Sequence, residues 1–328
     1  MKIVSEQPHS STPPTWRIAR AIDQGRRDYQ EDSLDSWSTA DATRIFVVVA
    51  DGAGGHGGGA EASAAAVAEA GRRLSEVGRI EDAGQFLGEW MLGAHEAVKN
   101  TGDGGARTAA VAMLARGGDV DWVHAGDCRL YHFRDGKRLQ RTRDDSIVQV
   151  LFEQGEISEW EMGRHEDQNR LLQAIGGEAT PTPRRGSAGA RPGDVFLLCS
   201  DGFWENLKPE ELAGLTRVPP WRREKALQRA VRLAVRRGGK KADNTSAVLA
   251  SFGESASAPR VRLPGWVRVI AIVAIVAALI LLIASWKGLS PAPGGAFRDD
   301  RKPRVADETA PDGPFATDHQ SPDIPPKP

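Results

Sequence analysis

Cysteine is nearly absent from this chain: there are two in 328 residues, Cys128 and Cys199. They lie far apart, and no C-x-x-C spacing occurs, which argues against a disulfide framework and against a structural zinc site. A reducing compartment fits this usage. Charge of one sign is also lacking, since 43 Lys and Arg face 44 Asp and Glu for a formal net charge of −1. The field of the whole molecule therefore gives no reason to expect nucleic acid as a partner. The start of the chain lacks the basic-then-apolar pattern of a secretory signal. Its Ser, Pro and polar content makes 1–15 a disordered leader. No internal repeat is visible, so function has to come from local sites.

Hydrophobic residues make up 40% and charged residues 27% of the chain, which is the composition of a globular protein able to bury a core. Composition changes sharply near Pro264. The run 266–286, bounded by Trp266 and Trp286, is apolar except for Arg268 and Ser285. At helical rise this interval covers about 30 Å, the thickness of a bilayer's hydrocarbon core, and tryptophans favour its two interfaces. Arg268 can snorkel to the near surface. A buried core helix is the alternative, but the tail 287–328 is rich in Pro, Asp and Lys/Arg and could not cover it. The expectation is a linker over 254–265, one transmembrane helix over 266–286 and a disordered tail. Arg260, Arg262 and Arg268 precede the span, and Lys287, Arg298, Arg301 and Lys302 follow it. Lack of a signal favours a cytoplasmic globular part on a single-pass membrane protein.

Between Trp16 and Phe252 short strands alternate with longer amphipathic helices, which suggests one large mixed domain over 16–253. Apolar, β-favouring runs at 45–50, 109–114, 195–199 and 247–252 are each short enough for a strand buried on both faces. Further strands are expected at 121–124 and 130–133, the second entering an Asp135-Gly136 turn suited to a hairpin. Helical periodicity follows at 60–75, 85–98, 147–154 and 226–236. Hairpin-linked strands argue for antiparallel sheets covered by helices, an α+β arrangement, over a doubly wound βαβ series.

Three of the buried-looking strands begin or end at an acid: Asp51 and Asp201, each followed by glycine, and Asp243. A single Asp-Gly is usually only a turn, so the weight lies in the recurrence. Carboxylates held close in a partly buried site repel and raise one another's pKa unless a cation offsets them. Without matching cysteines or paired histidines they indicate hard, oxygen-loving Mg²⁺ or Mn²⁺ rather than Zn²⁺. The loop after Asp51 also contains a G-x-G-x-x-G match between strand and helix, so a dinucleotide fold is a rival. Against it, an aspartate directly before the first glycine would repel a pyrophosphate, and no second strand ends in an acid at the required interval. The glycines are not followed by Lys-Ser or Lys-Thr, which weakens a Walker-type phosphate loop further.

Taken together, these segments resemble the metal-dependent protein phosphatases, the PPM or type 2C serine/threonine family, in its bacterial form. The opening signature appears as Arg27 with Glu31 and Asp32, and the second runs from Val48 through Asp51 and Gly52 to His56. Then come Gly126-Asp127-Cys128-Arg129, Thr142-Arg143-Asp144, Ser200-Asp201-Gly202 and Asp243-Asn244-Thr245-Ser246. The order and spacing of the set are specific, whereas any one motif alone is weak.

The resemblance implies a four-layer α/β/β/α sandwich, two antiparallel sheets flanked by helices, with metals at one edge. It implies that Asp51, Asp201 and Asp243 hold one Mn²⁺ or Mg²⁺ and that Glu31, Asp51 and the Gly52 carbonyl hold a second. Asp127 with Asp201 matches a third, weaker metal position, and Asp32 supports metal-bound waters. Two such cations about 4 Å apart ionise a shared water for in-line attack on phosphorus, so no covalent intermediate is needed. Arg27 is suited to grip two phosphate oxygens with its planar fork; a surface salt bridge is the plainer alternative. His56, with an ordinary pKa near neutrality, suits protonation of the leaving serine or threonine oxygen; an exposed loop histidine is its plainer alternative. The implied partners are phosphorylated proteins, substrates of a serine/threonine kinase, acted on by a monomer. Two positions depart from the pattern: Arg107 stands within a usual Gly-Thr-Thr, and Asp145 where a histidine commonly follows Thr-x-Asp. The segment 146–176 corresponds to a flap over the site.

Overall fold

The computed structural model describes residues 13–54, 58–77, 79–101, 105–253 and 265–287. They fall into two compact units, within Met1–Arg260 and Val261–Pro328. The first unit contains two five-stranded sheets. One joins β1 (Trp16–Asp23), β10 (Thr245–Phe252), β9 (Val195–Cys199), β6 (Arg129–Arg134) and β7 (Lys137–Arg141), in that spatial order. The other joins β2 (Asp32–Ser38), β3 (Arg44–Ala53), β4 (Arg107–Arg116), β5 (Asp119–Ala125) and β8 (Arg184–Gly189). Every pairing among them is antiparallel, which removes the parallel βαβ unit that a dinucleotide fold needs.

Alternation along the strands builds three apolar layers. In β3, Val47 and Val49 face β9 and β10 of the opposite sheet, within a cluster that includes Phe196, Leu198 and Val248. Phe46, Val48 and Ala50 on the other face of β3 pack against α1 (Gly58–Glu76) and α2 (Ala83–Lys99). In β9, Val195, Leu197 and Cys199 pack against Leu227, Val231 and Ala234 of α7 (Pro220–Gly238). Both faces of the central strands are thus buried, which is why their sequences read as unbroken apolar runs. The result is helix, sheet, sheet, helix: the expected four-layer sandwich.

Local chemistry fixes the element ends. The Asp82 carboxylate accepts from the Gln85 amide at 2.9 Å to start α2, and Pro220 opens α7 at a position with no amide to lose. α3 (Ile147–Gln154) starts at Ser146 and stops at Gly155, whose φ of 76° only glycine adopts cheaply. At the β6–β7 hairpin both Asp135 and Gly136 take positive φ, 51° and 71°, the primed turn expected there. The short helices α4 (Glu159–Met162), α5 (Asp201–Trp204) and α6 (Pro209–Thr216) complete the unit.

In the second unit, 266–286 lies within the helix α8, Gly265–Lys287. Its side chains are described only over 273–283 and at Ser285. Among the described residues no helix is long and apolar enough to cross a membrane, so the structure does not bear out the expected span. The expectations for 1–12, 254–264 and 288–328 lie outside the described residues.

Candidate metal centre

β2 and β3 pair so that Asp32 stands opposite Asp51, and the partner sheet brings Asp201 from the end of β9 beside Asp243 from the start of β10. Four acids distant in sequence therefore meet at one edge of the sandwich. Asp51 and Asp201 lie close enough to perturb each other, and Asp32 and Asp127 are 3% and 6% exposed. The Asp127 carbonyl accepts from the Trp204 indole at 3.0 Å, while the Thr108 hydroxyl donates to the Asp51 carbonyl at 2.8 Å.

Burial and mutual repulsion set the electrostatics. Burial first, and then Asp201 and Asp243, push Asp32 up to about 7 against a hydroxyl bond from Ser200. Burial and Asp243 push Asp201 up to about 6. Asp51 and Asp127 stand well above the usual carboxylate range, through burial and then Asp201. Asp32 Oδ2 accepts from Ser200 Oγ at 2.7 Å, and Ser200 Oγ in turn accepts from the Ser246 amide at 3.0 Å. Oδ1 of Asp32 and Oδ1 of Asp201 are buried without a hydrogen-bond partner.

Arg27 does reach this cluster. Its Nη2 donates to Asp243 Oδ2 at 2.5 Å, and that bond raises its pKa against desolvation. Glu31 is tied in through its backbone: its amide donates to Asn244 Oδ1 at 2.7 Å and its carbonyl accepts from the Gly52 amide at 3.0 Å. Burial raises the Glu31 carboxyl, opposed by Arg27 and by an amide bond from Gly59. Gly52 is required by approach distance, because a Cβ there would stand 1.9 Å from the Gly59 carbonyl oxygen. Of the residues expected at the site, Arg27, Glu31, Asp32, Asp51, Gly52, Asp127, Asp201 and Asp243 share this edge; His56 lies outside the described residues.

The contacts of Asn244 and the place of Glu205 escaped sequence reasoning. Asn244 straps the first motif by donating Nδ2 to the carbonyls of Gln24 and Tyr29, at 2.7 and 3.0 Å. Its place beside Asp243 was the only available signal. Glu205 is held well above the carboxylate range by burial and by Asp201 and Asp127, with no motif to flag it. Arg129 forms a buried bidentate pair with Asp144, Nη2 to Oδ2 at 2.6 Å, and lies 3.3 Å over the Trp204 ring. Asp145 is fully buried and pairs with Arg184. Its backbone amide bonds to the Gly126 carbonyl at 2.9 Å and its carbonyl accepts from Leu172 at 2.7 Å. Arg107 is exposed on a cleft of about 610 Å³ whose walls include Gly54, Thr108 and 169–174.

Among the described residues no group of three His, Cys, Asp or Glu stands ready to hold a metal ion as placed. Arg27 lies on Asp243, so a cation would have to displace this contact. The donor set nonetheless suits one: oxygen ligands only, raised carboxyls that lack a compensating charge, and orphaned Oδ1 atoms.

An antiparallel four-layer sandwich with a carboxylate cluster at one edge defines a class of hard-cation site. The model of protein phosphatase 2C matches residues 23–233, and the chain belongs to that family. Serine/threonine protein phosphatase PstP of Mycobacterium tuberculosis is 32% identical over 217 residues, covering 62% of this chain and 40% of that protein. Protein phosphatase PhpP of Streptococcus pneumoniae is 26% identical over 226 residues, covering 65% of this chain and 88% of PhpP. Among solved structures, the PstP catalytic domain in complex with two manganese ions aligns with a TM-score of 0.62 at 30% identity. That alignment covers 74% of this chain and all of the domain.

Proposed function

We propose that this chain is a metal-dependent protein serine/threonine phosphatase that hydrolyses phosphoserine and phosphothreonine and is anchored to a membrane. The observation that carries the catalytic part is the meeting of Asp32, Asp51, Asp127 and Asp201 with raised carboxyls and two orphaned oxygens. Asp51, Asp201 and Asp243 would hold one Mn²⁺ or Mg²⁺; Glu31, Asp51 and the Gly52 carbonyl would hold a second, and Asp127 with Asp201 a third. Bound there, the cations supply an ionised water for attack on phosphorus. Asp32, held by Ser200, orients water through its free oxygen. Arg27, released from Asp243 by a cation, can turn its fork to phosphate oxygens. His56 is assigned as the acid that protonates the leaving oxygen. The cleft beside Thr108 and Arg107 takes the phosphoprotein, the product of a serine/threonine kinase, and the enzyme acts as a monomer.

Anchoring is supported by α8. Along its described side chains Val273, Ile275, Leu279, Ile280, Leu281 and Leu282 are all exposed, which aqueous solvent disfavours. The catalytic domain, 16–253, would then face the cytoplasm through a linker at 254–265, with the tail 287–328 beyond the span. The test of catalysis is p-nitrophenyl phosphate and phosphopeptide turnover before and after chelation. Activity should vanish, return with Mn²⁺, and be lost in Asp51→Asn; full activity in Asp51→Asn would reject the ligand set.

A further inference from the structure

The two sheets end on the same side, and their last strands β7 and β8 leave a second opening. Trp122 and His124 of β5, with Arg184 of β8, form one wall; Gln140 and Arg141 of β7, with Arg143 just beyond, form the other. The groove measures about 560 Å³ and is lined by arginines and a histidine, with no Asp or Glu among its described residues. His124 and Arg184 are directly opposed in the β5–β8 register, so both side chains leave the same face. Arg185, next in line, turns the other way and lies against Gly84 and Gly88 of α2.

An open edge of a sandwich often carries solvated charge of both signs. Here each arginine has a carboxylate partner outside the groove lining: buried Asp145 for Arg184, half-buried Glu159 for Arg141, and Glu153, exposed like its partner, for Arg143. At Arg184 and Arg143 this fixes the guanidinium group while leaving N–H donors free, whereas Arg141 spends its donors on Glu159, the Thr142 carbonyl and Gln149. His124 supplies an independent sign of a ligand. It is 3% exposed, yet its Nδ1 is buried with no hydrogen-bond partner, a costly state unless something else satisfies it.

We propose that this groove is a second phosphoryl-binding subsite, which takes a further phosphorylated side chain of the same substrate polypeptide. The inference rests on the phosphatase reading above. Two fixed guanidinium groups, Arg184 and Arg143, and an unsatisfied imidazole match a phosphoryl group's three oxygens better than a single carboxylate. The groove also adjoins the catalytic edge. His124 precedes Asp127 by three residues, at most about 10 Å of chain. Gln173 lines both this groove and the cleft beside Thr108, and its Oε1 accepts from the Thr182 amide at 2.7 Å. A polypeptide leaving the cleft past Gln173 enters the groove.

The test compares peptides carrying one phosphoserine with peptides carrying two, spaced two to five residues apart, on the full chain with Mg²⁺. The best doubly phosphorylated peptide should show a KM about tenfold lower than the single one. Arg143→Glu, a change at an exposed residue, should abolish that difference while leaving p-nitrophenyl phosphate turnover unchanged. Equal KM values at every spacing, or a preference retained in Arg143→Glu, would overturn the subsite but not the phosphatase. If p-nitrophenyl phosphate is not hydrolysed at all, the phosphatase reading fails separately. The His124 ring resonances, titrated with inorganic phosphate, then decide. A saturable shift lost in Arg143→Glu supports the subsite, and no shift, or one that persists in the variant, overturns it.

Discussion

Asp51 and Asp201 are buried beside each other and beside Asp32 and Asp127, and burial and mutual repulsion favour the protonated carboxyls of the metal-free cluster. Asp201 is pushed up to about 6 and Asp32 to about 7. The sign follows from linkage. These raised carboxyls favour the metal-free fold fully below their unfolded value of about 4, and that contribution is lost as pH rises through 6 to 7. A cation reverses the balance because its ligands must be deprotonated. The melting temperature of the metal-free chain should therefore fall from pH 5 to pH 8, while the increment added by Mg²⁺ grows; an increment independent of pH would contradict the cluster. His56 makes a separable prediction. If it protonates the leaving oxygen, His56→Ala should slow phosphoserine hydrolysis by about 10²–10⁴-fold. Hydrolysis of p-nitrophenyl phosphate, whose leaving group needs no proton, should change far less, and equal losses would reject the role.

At the scale of elements, the rigidity of the site traces to buried polar contacts. Arg129 on β6 and Asp144 before α3 have side chains 2% and 0% exposed, and they tie the β6 strand to the loop that leads into α3. Removing one partner of such a pair strands a buried charge, which costs about 3–5 kcal/mol. Asp144→Ala should lower the denaturant midpoint accordingly, whereas Asp41→Ala, on the exposed 39–43 turn, should not. How far these elements are legible in sequence depends on burial. The strands β3, β4, β9 and β10 are buried on both faces and announce themselves as apolar runs. β1, β2, β7 and β8 lie at sheet edges, where Arg17, Asp35, Lys137 and Arg184 interrupt any pattern, and they pass unseen. That the acids at the shared edge belong to one set was legible because motifs fix their order along the chain. Asn244 as a strap, Ser200 as the partner of Asp32, and Glu205 as a neighbour of Asp127 depend on tertiary approach, which spacing does not encode. The groove beside His124 was invisible for the same reason, since its lining comes from four separated segments.

At the scale of the whole molecule, the first unit and α8 make different demands on their surroundings. The first unit buries its apolar residues in three layers of its own, so it has the core of an independently folding domain. α8 instead exposes a series of large aliphatic side chains along its described length, and only a partner or a lipid phase can cover them. If a bilayer covers them, the whole chain should sediment with membranes and resist extraction at alkaline pH. A chain ending after Gly253 should remain in the supernatant with unchanged turnover of p-nitrophenyl phosphate. The two arms answer different questions. Loss of activity on truncation would mean that the sandwich borrows stability from residues beyond Gly253. Extraction of the whole chain by alkali would mean that α8 docks on protein, not lipid. With a membrane anchor, substrate selection would act in the plane next to the bilayer, where local concentration replaces much of the affinity that a soluble enzyme needs. Fusing the free catalytic domain to an unrelated membrane anchor should then restore dephosphorylation of membrane-bound substrates without altering kcat on peptides.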